Sequence, residues 1–543
     1  MNAEQLIPAL LAQTPGWDAQ AARAGLDADD VAGILSEAAR VTREVLAPAA
    51  ATADAVHAQL VDGRVKMPEG SGEAYRFMGE NGWLTTDLPE EFGGQGLPTA
   101  LHIAASLFFE GEATPLMMAG ASARAGMHLL AAVAPDMAAE WGPKIAAAEW
   151  AMTICISEPD AGSDVGRIRT RAEADGDAWR LYGKKCWISS GDHDMTARIG
   201  HLCLARTGAP EEGTRGLSLF LVANTTDDGA DNHIVLERIE EKLGLHGSPT
   251  CVLNFEGAQA RMIGKPGRGL AVMFHMIEVM RLQSGAHGVA MALASAELAT
   301  RYAAERTQGG RPDQPAVAID THPDVKRMLA QLDADAALAT AMLFECAVAL
   351  DESRAGDASA AARAAFLLPL AKTFGGEAGF DCASQALQVF GGAGYTREWP
   401  VERHLRDSRI ITIFEGATGM QGQDFLMRRL LKDEGAGLKA VVARFAEERA
   451  AHPDPLNAEA ERILRRFLGL AEGLTAEGVS TPARLLAADG CLRAGWAMMR
   501  AQLALRLARV GDRERRLARF ALHFADAEMA RAEAACALDP DML

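Results

Sequence analysis

The sequence predicts a mainly α-helical protein with one β-rich domain in the middle of the chain. Two patterns predict this class. Apolar residues recur at helical spacing before residue 150 and again after residue 270. Between those positions, short β-type segments alternate with turn signals. Because 543 residues exceed what one compact core can bury, the chain should also divide into several domains.

Four domains follow from the places where the pattern changes. The evenly spaced β segments are typical of a small antiparallel barrel or sandwich. The long amphipathic segments after them are typical of an antiparallel helix bundle. The predicted domains are an N-terminal helical domain over 1–150, a β domain over 151–262, a four-helix bundle over 263–434 and an extra C-terminal helical extension over 435–543.

The individual elements follow from the period of the apolar residues. N-terminal helices are predicted at 27–45, 72–83, 99–112 and 120–147. Strands are predicted at 152–157, 170–174, 179–184, 186–189, 201–206, 217–222 and 251–255. The bundle helices are predicted at 270–307, 322–351, 358–390 and 419–432.

Charge and composition narrow the function classes. A net charge of −19 argues against broad binding to nucleic acid or to an anionic membrane. No apolar run reaches the ~20 residues that span a bilayer, and the first residues lack a signal-peptide pattern. We therefore expect no membrane partner and a cytoplasmic location. The eight cysteines show no CxxC pair and no Cys/His ligand spacing, so reduced, mostly buried thiols and no metal site are expected.

Glu415 is the candidate general base. It ends an apolar run that includes Ile413 and Phe414, and Gly416 follows it directly. Burial beside apolar side chains should raise the pKa of this carboxyl group and make it a better proton acceptor. The alternative is a carboxylate at a helix N-terminus, where the helix dipole stabilises it.

Two strand-end segments are candidates for binding a flat cofactor. Gly162 and Ser163 follow a predicted strand, and small residues there let backbone N–H groups approach an anionic oxygen. Trp187 and Ser189 place an indole beside a hydroxyl, which suits the covering of an aromatic ring system. The alternatives are an ordinary turn and a core tryptophan.

Five motifs occur in an order that resembles the acyl-CoA dehydrogenase family, FAD enzymes that oxidise acyl thioesters to α,β-enoyl thioesters. The resemblance covers roughly residues 35–435 and implies a helical domain, an antiparallel β-barrel and a four-helix bundle. Further likeness, in the 82–98 segment and the C-terminal extension, is to the 3-methylmercaptopropionyl-CoA dehydrogenase type. The motifs are Glu158-Pro-x-Ala-Gly-Ser-Asp164, Gly183-x-Lys-x-Trp-Ile-Ser189, Lys242-x-Gly-x-His-Gly-Ser-x-Thr250, Phe390-Gly-Gly-x-Gly-Tyr395 and Arg406-Asp-Ser-Arg-Ile followed by Ile413-Phe-Glu-Gly416.

The resemblance implies a role for each matching residue. Glu415 would remove the α-proton, with its own N–H donating to the thioester carbonyl, and flavin would accept the β-hydride. Ser163, Glu278, Arg281 and Gly416 would lie near the substrate. Arg281 with Glu278 could instead be an ion pair one helical turn apart. The residues implied for FAD are Ile154, Ile156, Ser157, Gly162, Ser163, Trp187, Ile188, Ser189, Arg306, Gln388, Gly391, Gly392, Ala417, Thr418 and Gly419.

Two departures from the family pattern bear on the cofactor. Ala417 replaces a common Thr, and Thr307-Gln308 replaces the usual Phe-Gly after Arg306. Both departures concern flavin contacts rather than the base. Some members of the family carry the base on another helix, but Met280 rather than a carboxylate precedes Arg281 at that place, so Glu415 is the sole good candidate.

The resemblance also implies partners: an acyl-CoA substrate, electron-transfer flavoprotein as electron acceptor, and a homodimer or homotetramer. One alternative is an acyl-CoA oxidase that uses oxygen. Another is a nucleic-acid-associated flavoprotein of the alkylation-response type, since residues 500–519 are arginine-rich. A solvated helix face explains those arginines better, and we expect no nucleic-acid partner.

Overall fold

The computed structural model describes residues 2–176 and 178–538. Within this part the protein is mainly helical with one central β-sheet, which confirms the predicted fold class. The chain forms two compact units. The first comprises Met1–Ala39, Pro98–Gly111 and Arg281–Leu543, and the second comprises Arg40–Leu97 and Glu112–Met280. The predicted four-domain division remains a prediction, and its terminal residues 1 and 539–543 lie outside the described residues.

Helices precede and follow the sheet along the chain. Those before it are α1 (Ala3–Ala12), α2 (Trp17–Arg23), α3 (Ala28–Val41), α4 (Ala47–Val56), α5 (Ser71–Glu80), α6 (Thr99–Val133) and α7 (Pro135–Ala146). Those after it are α8 (Gly269–Glu305), α9 (Pro323–Arg354), α10 (Ala358–Phe390), α11 (Val401–Ser408), α12 (Thr418–Gln423), α13 (Ala436–Ala451), α14 (Asn457–Thr475), α15 (Thr481–Val510) and α16 (Asp512–Cys536).

The strands of the second unit form a hairpin and a larger sheet. The hairpin pairs β1 (Gln59–Val61) with β2 (Arg64–Lys66). The sheet has seven strands in the order β3-β6-β4-β5-β9-β7, with β8 paired to β9 and a further pairing between β6 and β7. These strands are β3 (Trp150–Cys155), β4 (Arg171–Asp175), β5 (Ala178–Ser189), β6 (Arg198–Arg206), β7 (Leu217–Ala223), β8 (Ile234–Ile239) and β9 (Thr250–Ile263).

The prediction of a purely antiparallel sheet is wrong for two pairings. Strand β3 runs parallel to β6, and β4 touches β6 in parallel at one position. The chain between β3 and β6 is long enough for the crossover that parallel pairing needs. The remaining pairings are antiparallel. The closed barrel form remains a prediction.

Local sequence explains where the long helices of the first unit begin. Pro323 occupies the first turn of α9, where its missing N–H costs nothing. The Asp357 side chain caps α10 by accepting from the N–H groups of Ser359 and Ala360. The faces of these helices pack into a core whose members, including Leu338, Phe344, Phe366, Leu367 and Leu507, have no exposed side-chain surface.

Two helix predictions need correction. The predicted fourth bundle helix, 419–432, is the short helix α12 continued by a π-helix, Asp424–Lys432. The predicted end of a helix at 112 corresponds to a kink in α6 at Ala113, which has non-helical dihedrals. The predicted helix 120–147 is divided, because α6 ends at Val133 and α7 begins at Pro135.

Helix α6 is also the one described helix whose length and composition would allow it to cross a bilayer. Within its most apolar window, 78% of the residues are buried inside the protein, as in the core helix of a folded domain. The prediction of mostly buried cysteines is confirmed, since seven of the eight are buried and Cys536 is partly exposed.

Candidate functional site

Glu415 lies in the first compact unit on a turn just before α12. Its φ of 54° and the φ of 91° at Gly416 place two successive residues in the left-handed region. A non-glycine residue adopts this conformation rarely, and such strain persists only where the surroundings hold it. A Cβ at Gly416 would lie 2.7 Å from the Gln421 Nε2, so both space and backbone require glycine after the glutamate.

Two buried side chains hold this turn from inside. The Gln421 Nε2 donates to the carbonyl oxygens of Glu415 and Gly416, at 3.1 Å each. The Lys372 Nζ, from α10, donates to the Gly416 carbonyl at 2.9 Å. Both side chains belong to fully buried residues. The turn therefore has a fixed conformation imposed by the helices beneath it.

The interpretation of Glu415 as a helix-capping residue is wrong. Helix α12 begins at Thr418, with Ala417 as its N-cap residue and no capping side chain from the described residues. The Glu415 backbone N–H, in turn, donates to no acceptor in the part of the chain that the structure describes. A ligand oxygen could accept this hydrogen bond.

Glu415 has a perturbed carboxyl group. Although the residue is partly exposed, desolvation by the surrounding protein raises its pKa above the usual range. The positive charges of Lys372 and Arg281, and His287, counteract part of that rise. The predicted rise of the pKa through burial is therefore confirmed. Burial also lowers the pKa of Lys372 to about 8, while Glu415 opposes that change.

Arg281 lies beside the same turn. Its guanidinium Nη2 is 4.0 Å from the position of a Cβ on Gly416. The Nη1 donates to Asp424 at 2.9 Å, in a pair whose side chains are 15% and 8% exposed. The ion pair of Arg281 is thus made with the π-helix that follows α12. Glu278 is exposed, and its predicted substrate role remains a prediction.

His287 and Glu110 form a second buried polar pair in this unit. The His287 Nδ1 and the Glu110 Oε2 lie 2.8 Å apart, and both side chains are almost fully buried. The imidazole ring stacks on Phe414 with centroids 6.5 Å apart. A polar pair therefore lies on one face of the residue that precedes Glu415.

Trp187 lies in the second compact unit at an irregular point of β5. The register between β5 and β9 shifts between Lys185 and Ile188, so one extra residue is inserted on β5. Trp187 has a φ of 63°, and 61% of it is exposed, which is unusual for a strand tryptophan. The interpretation of Trp187 as a core residue is wrong. An exposed indole fits a planar ligand well.

A buried ion pair joins the two predicted cofactor segments of this unit. The Lys185 Nζ contacts the Glu158 Oε1 at 2.8 Å and donates to the Ile156 carbonyl at 2.9 Å. Burial would raise the pKa of Glu158, but Lys185 lowers it below its usual value. The Cys186 N–H also donates to the Ser157 carbonyl at 3.0 Å. The structure thereby brings the loop after β3 next to the bulge that carries Trp187.

The remaining predicted residues of these two segments differ in exposure. Gly162 and Ser163 are exposed, and a Cβ on Gly162 would meet no atom within 4 Å. Ile188 is buried, whereas the predicted contacts Ile154, Ile156, Ser157 and Ser189 are partly exposed. The exposed backbone at Gly162 leaves space for a ligand.

A second set of predicted cofactor residues lies at the ends of α8 and α10. Tyr302 stacks on Phe390 with ring centroids 4.1 Å apart, which brings these two helix ends together. The set itself is exposed and consists of Arg306, Gln388, Gly391 and Gly392. Ala417 and Thr418 are partly exposed at the start of α12, and Gly419 is exposed.

Lys372 and Asp424 are site residues that the sequence analysis missed. Lys372 is the only charged residue in the stretch 364–376, and a lone lysine in an apolar helix signals a buried partner. Asp424 carried no such signal, because its partner lies 143 positions away in the sequence. Among the described residues, no group of three His, Cys, Asp or Glu side chains is placed to hold a metal ion.

The C-terminal arginines are also placed differently from the prediction. The predicted solvated face is wrong for Arg500 and Arg506, whose side chains are 11% and 1% exposed. Arg500 pairs with Asp335 and Glu528, and Arg506 pairs with Glu345. These charges are neutralised within the protein.

Models of known protein families match three successive parts of the chain. Family models of the acyl-CoA dehydrogenase N-terminal, middle and C-terminal domains match residues 29–149, 153–258 and 267–431. The chain is 33% identical to the 3-methylmercaptopropionyl-CoA dehydrogenase of Ruegeria pomeroyi, over 93% of this chain and 91% of that protein.

Solved structures show the same fold. A glutaryl-coenzyme A dehydrogenase in complex with glutaryl-CoA matches with a TM-score of 0.63 at 27% identity, covering 74% of this chain and 95% of that one. Caenorhabditis elegans ACDH-11 in complex with C11-CoA matches with a TM-score of 0.77 at 20% identity, over 99% of this chain and 92% of that one. The second match includes the C-terminal helices.

Proposed function

Because this chain belongs to the acyl-CoA dehydrogenase family, an enzyme family that acts on acyl-CoA thioesters, we propose that it carries out the FAD-dependent α,β-dehydrogenation of an acyl-CoA. Glu415 is the base that removes the α-proton. The observation that carries this assignment is the conformation of its turn. A carboxyl group with a raised pKa lies on a strained, internally fixed backbone whose own N–H is available to a ligand.

The chemistry of the reaction explains why a carboxyl group with a raised pKa and an available backbone N–H occur on the same turn. The α-proton of a thioester is a very weak acid, so the negative charge of the enolate must be stabilised as it forms. The Glu415 carboxylate takes the proton, and the Glu415 N–H donates to the thioester carbonyl oxygen that receives the charge. A base with a raised pKa is a stronger proton acceptor at neutral pH. The fixed turn keeps donor and base in one orientation.

The residues present fit a flavin. The exposed indole of Trp187 suits a planar ring, and the open backbone at Gly162 suits an anionic phosphate or carbonyl oxygen. The residues that would hold FAD are those predicted from the sequence, with Arg306, Gln388, Gly391 and Gly392 on the adenosine and phosphate side. Bound FAD supplies the acceptor for the β-hydrogen, which leaves as hydride.

The acyl group is proposed by analogy with the relatives. The Ruegeria pomeroyi protein, which matches over nearly the whole chain, is named for 3-methylmercaptopropionyl-CoA. A short, sulfur-containing acyl-CoA is therefore the first substrate to try. We further propose electron-transfer flavoprotein as electron acceptor, a homodimer or homotetramer, and a cytoplasmic location.

Replacing Glu415 tests the proposal. Under anaerobic conditions, a panel of acyl-CoA thioesters that includes 3-methylmercaptopropionyl-CoA should bleach the flavin absorbance of the wild-type protein. Glu415→Gln should lower the rate of bleaching by about 10²–10⁴-fold, because general-base catalysis contributes that much, while FAD stays bound. Glu447→Gln, at an exposed position of α13, is the matched control and should bleach like wild type.

The outcomes separate the alternatives. Undiminished bleaching by Glu415→Gln would refute the role of Glu415. Absence of bleaching by every thioester in the wild-type protein would refute the proposed reaction. Repeating the active assay in air and with electron-transfer flavoprotein distinguishes a dehydrogenase from an oxidase, since only an oxidase turns over rapidly with oxygen alone.

A further inference from the structure

Lys372 is a charged side chain with no exposed surface, in the middle of the apolar helix α10. Burying an ammonium group without a partner is strongly unfavourable, so such a lysine persists only where it is paired. Its Nζ donates to the Gly416 carbonyl at 2.9 Å and lies 6.0 Å from the centre of the Phe414 ring. Both contacts are with the residues that flank Glu415.

The backbone around Lys372 has little freedom to move. Helices α8 and α10 meet backbone to backbone at glycines, and a Cβ on Gly288 would lie 2.1 Å from the Gly375 carbonyl oxygen. A Cβ on Gly285 would lie 2.6 Å from the carbonyl oxygen of Ala371, the residue before Lys372. The lysine therefore projects from a helix whose position is fixed.

The charges that face Lys372 and Glu415 come from several elements. Helix α8 contributes Arg281 and His287, and α6 contributes Glu110, which is paired with His287. Arg281 already pairs with Asp424 of the π-helix at 2.9 Å, a carboxylate that Arg428 and Arg429 also approach. Lys372, by contrast, has a backbone carbonyl as its hydrogen-bond partner. Among the nearby positive charges, that of Lys372 lowers the pKa of Glu415 most, and Glu415 in turn raises the pKa of Lys372.

We propose that Lys372 is a positioning residue for the proposed dehydrogenation, on which this inference rests. Its ammonium group fixes the Gly416 carbonyl, and so the left-handed turn of Glu415, and its positive charge keeps the Glu415 carboxyl group ionised and ready to accept a proton. Removal of the charge would raise the pKa of the Glu415 carboxyl group further, so that more of it stays protonated and cannot act as a base.

The titration of Glu415 tests this inference without any substrate. Infrared difference spectra of the holoenzyme, wild type minus Glu415→Gln, isolate the carbonyl band of the protonated Glu415 side chain as pH is varied. Lys372→Met and Lys372→Gln should each move the titration midpoint upward by about 1–3 pH units, the usual effect of a nearby opposite charge. Lys372→Arg keeps the charge and should restore most of the wild-type midpoint.

The second readout is the pH profile of flavin bleaching by an active acyl-CoA. The acid limb of kcat/KM should move to higher pH in the neutral variants, so activity recovers as pH rises. A merely structural lysine would lower activity by the same factor at every pH. Lys439→Met, at an exposed position of α13, is the control and should change neither readout.

An unchanged infrared midpoint in both neutral variants would overturn the inference, and so would an equal shift in Lys372→Arg. If Lys372→Met does not fold, Lys372→Gln and Lys372→Arg still allow a neutral side chain to be compared with a charged one at this position. Failure of the proposed reaction is distinguishable, because it would leave every acyl-CoA inactive on wild type while the infrared titration still reports on Lys372.

Discussion

Arg506→Met should strongly weaken the anchoring of the C-terminal helices. Arg506 lies on α15 with 1% of its side chain exposed. Its Nη1 contacts Glu345 of α9 at 2.7 Å, and its Nε contacts Glu448 of α13 at 2.9 Å. One guanidinium group thus joins three helices, one from the predicted bundle and two from the extension. Methionine has a similar length but no charge, so the change mainly removes the ion pairs.

The expected loss of stability depends on the ion pairs that Glu345 and Glu448 keep after the substitution. Removing one partner of a buried ion pair typically costs about 3–5 kcal/mol, because the other charge stays buried and uncompensated. Here Glu345 keeps Arg363 at 3.4 Å, and Glu448 keeps Arg509 at 2.6 Å. These remaining partners place the expected loss near the lower end, at about 3 kcal/mol.

Hydrogen exchange followed by mass spectrometry is the suitable assay. The chain forms two compact units, so a single free energy of unfolding is not well defined, whereas exchange reports local opening of each helix. A loss of about 3 kcal/mol corresponds to roughly 160-fold faster exchange of the α15 amides, at 1.36 kcal/mol for each factor of ten. The amides of the β-sheet should not change.

Arg465→Met is the matched control. Arg465 lies 3.9 Å from Glu461 on the surface of α14, and the two side chains are 69% and 47% exposed. Such a pair contributes at most about 0.5 kcal/mol, so exchange should accelerate by no more than two- to three-fold. If Arg506→Met accelerated exchange in α15 no more than this control, the ion network would not be what anchors the extension.

Two further predictions concern stability. Burial lowers the pKa of His193 and of His201 to about 4, so the second compact unit binds more protons when unfolded below about pH 6.5, and its stability should fall by roughly 3 kcal/mol per histidine between pH 7 and pH 4. Denaturation midpoints across that range should decline less steeply in His201→Gln, and an identical slope would contradict the assignment. Gly288→Ala should destabilise by about 1–3 kcal/mol or more, because its Cβ would overlap the Gly375 carbonyl. Gly33→Ala, in α3 with no atom within 4 Å of its Cβ, should instead stabilise by about 0.5–1 kcal/mol, and thermal melting that ranked the two the other way would refute the packing argument.

Much of the fold could be predicted because its signals are local. The helix predicted at 358–390 coincides with α10. Its start is marked by the capping residue Asp357, and its length by apolar residues at helical spacing. Strand β8, Ile234–Ile239, escaped prediction because none of its residues is buried and they follow no clear apolar alternation. Strand β9 extends to Ile263, well beyond the predicted 251–255, because pairing with β5 and β7 continues past the apolar run.

In the candidate site, too, features set by adjacent residues could be predicted, whereas features set by distant residues could not. Glu415 and Gly416 are adjacent in sequence, so their motif was visible, and the raised pKa followed from the apolar residues before them. The left-handed φ of Glu415 could not be predicted, because it depends on Gln421 and on Lys372, which lies 43 positions earlier and approaches through helix packing. Local sequence identifies the proposed base, whereas tertiary contacts determine its conformation and its charge.

The C-terminal extension has no predicted site residue, but its contacts hold part of the candidate site in place. Helix α15 packs against the residues that follow the proposed base, Glu415. A Cβ on Gly422 would lie 2.9 Å from the Ala488 carbonyl oxygen, and a Cβ on Gly495 would lie 2.7 Å from the Phe425 ring. These close approaches fix the end of α12, which supplies Gln421 to the Glu415 turn. Loosening α15 through Arg506→Met should therefore also slow the chemistry at Glu415, although Arg506 contacts neither residue of the turn.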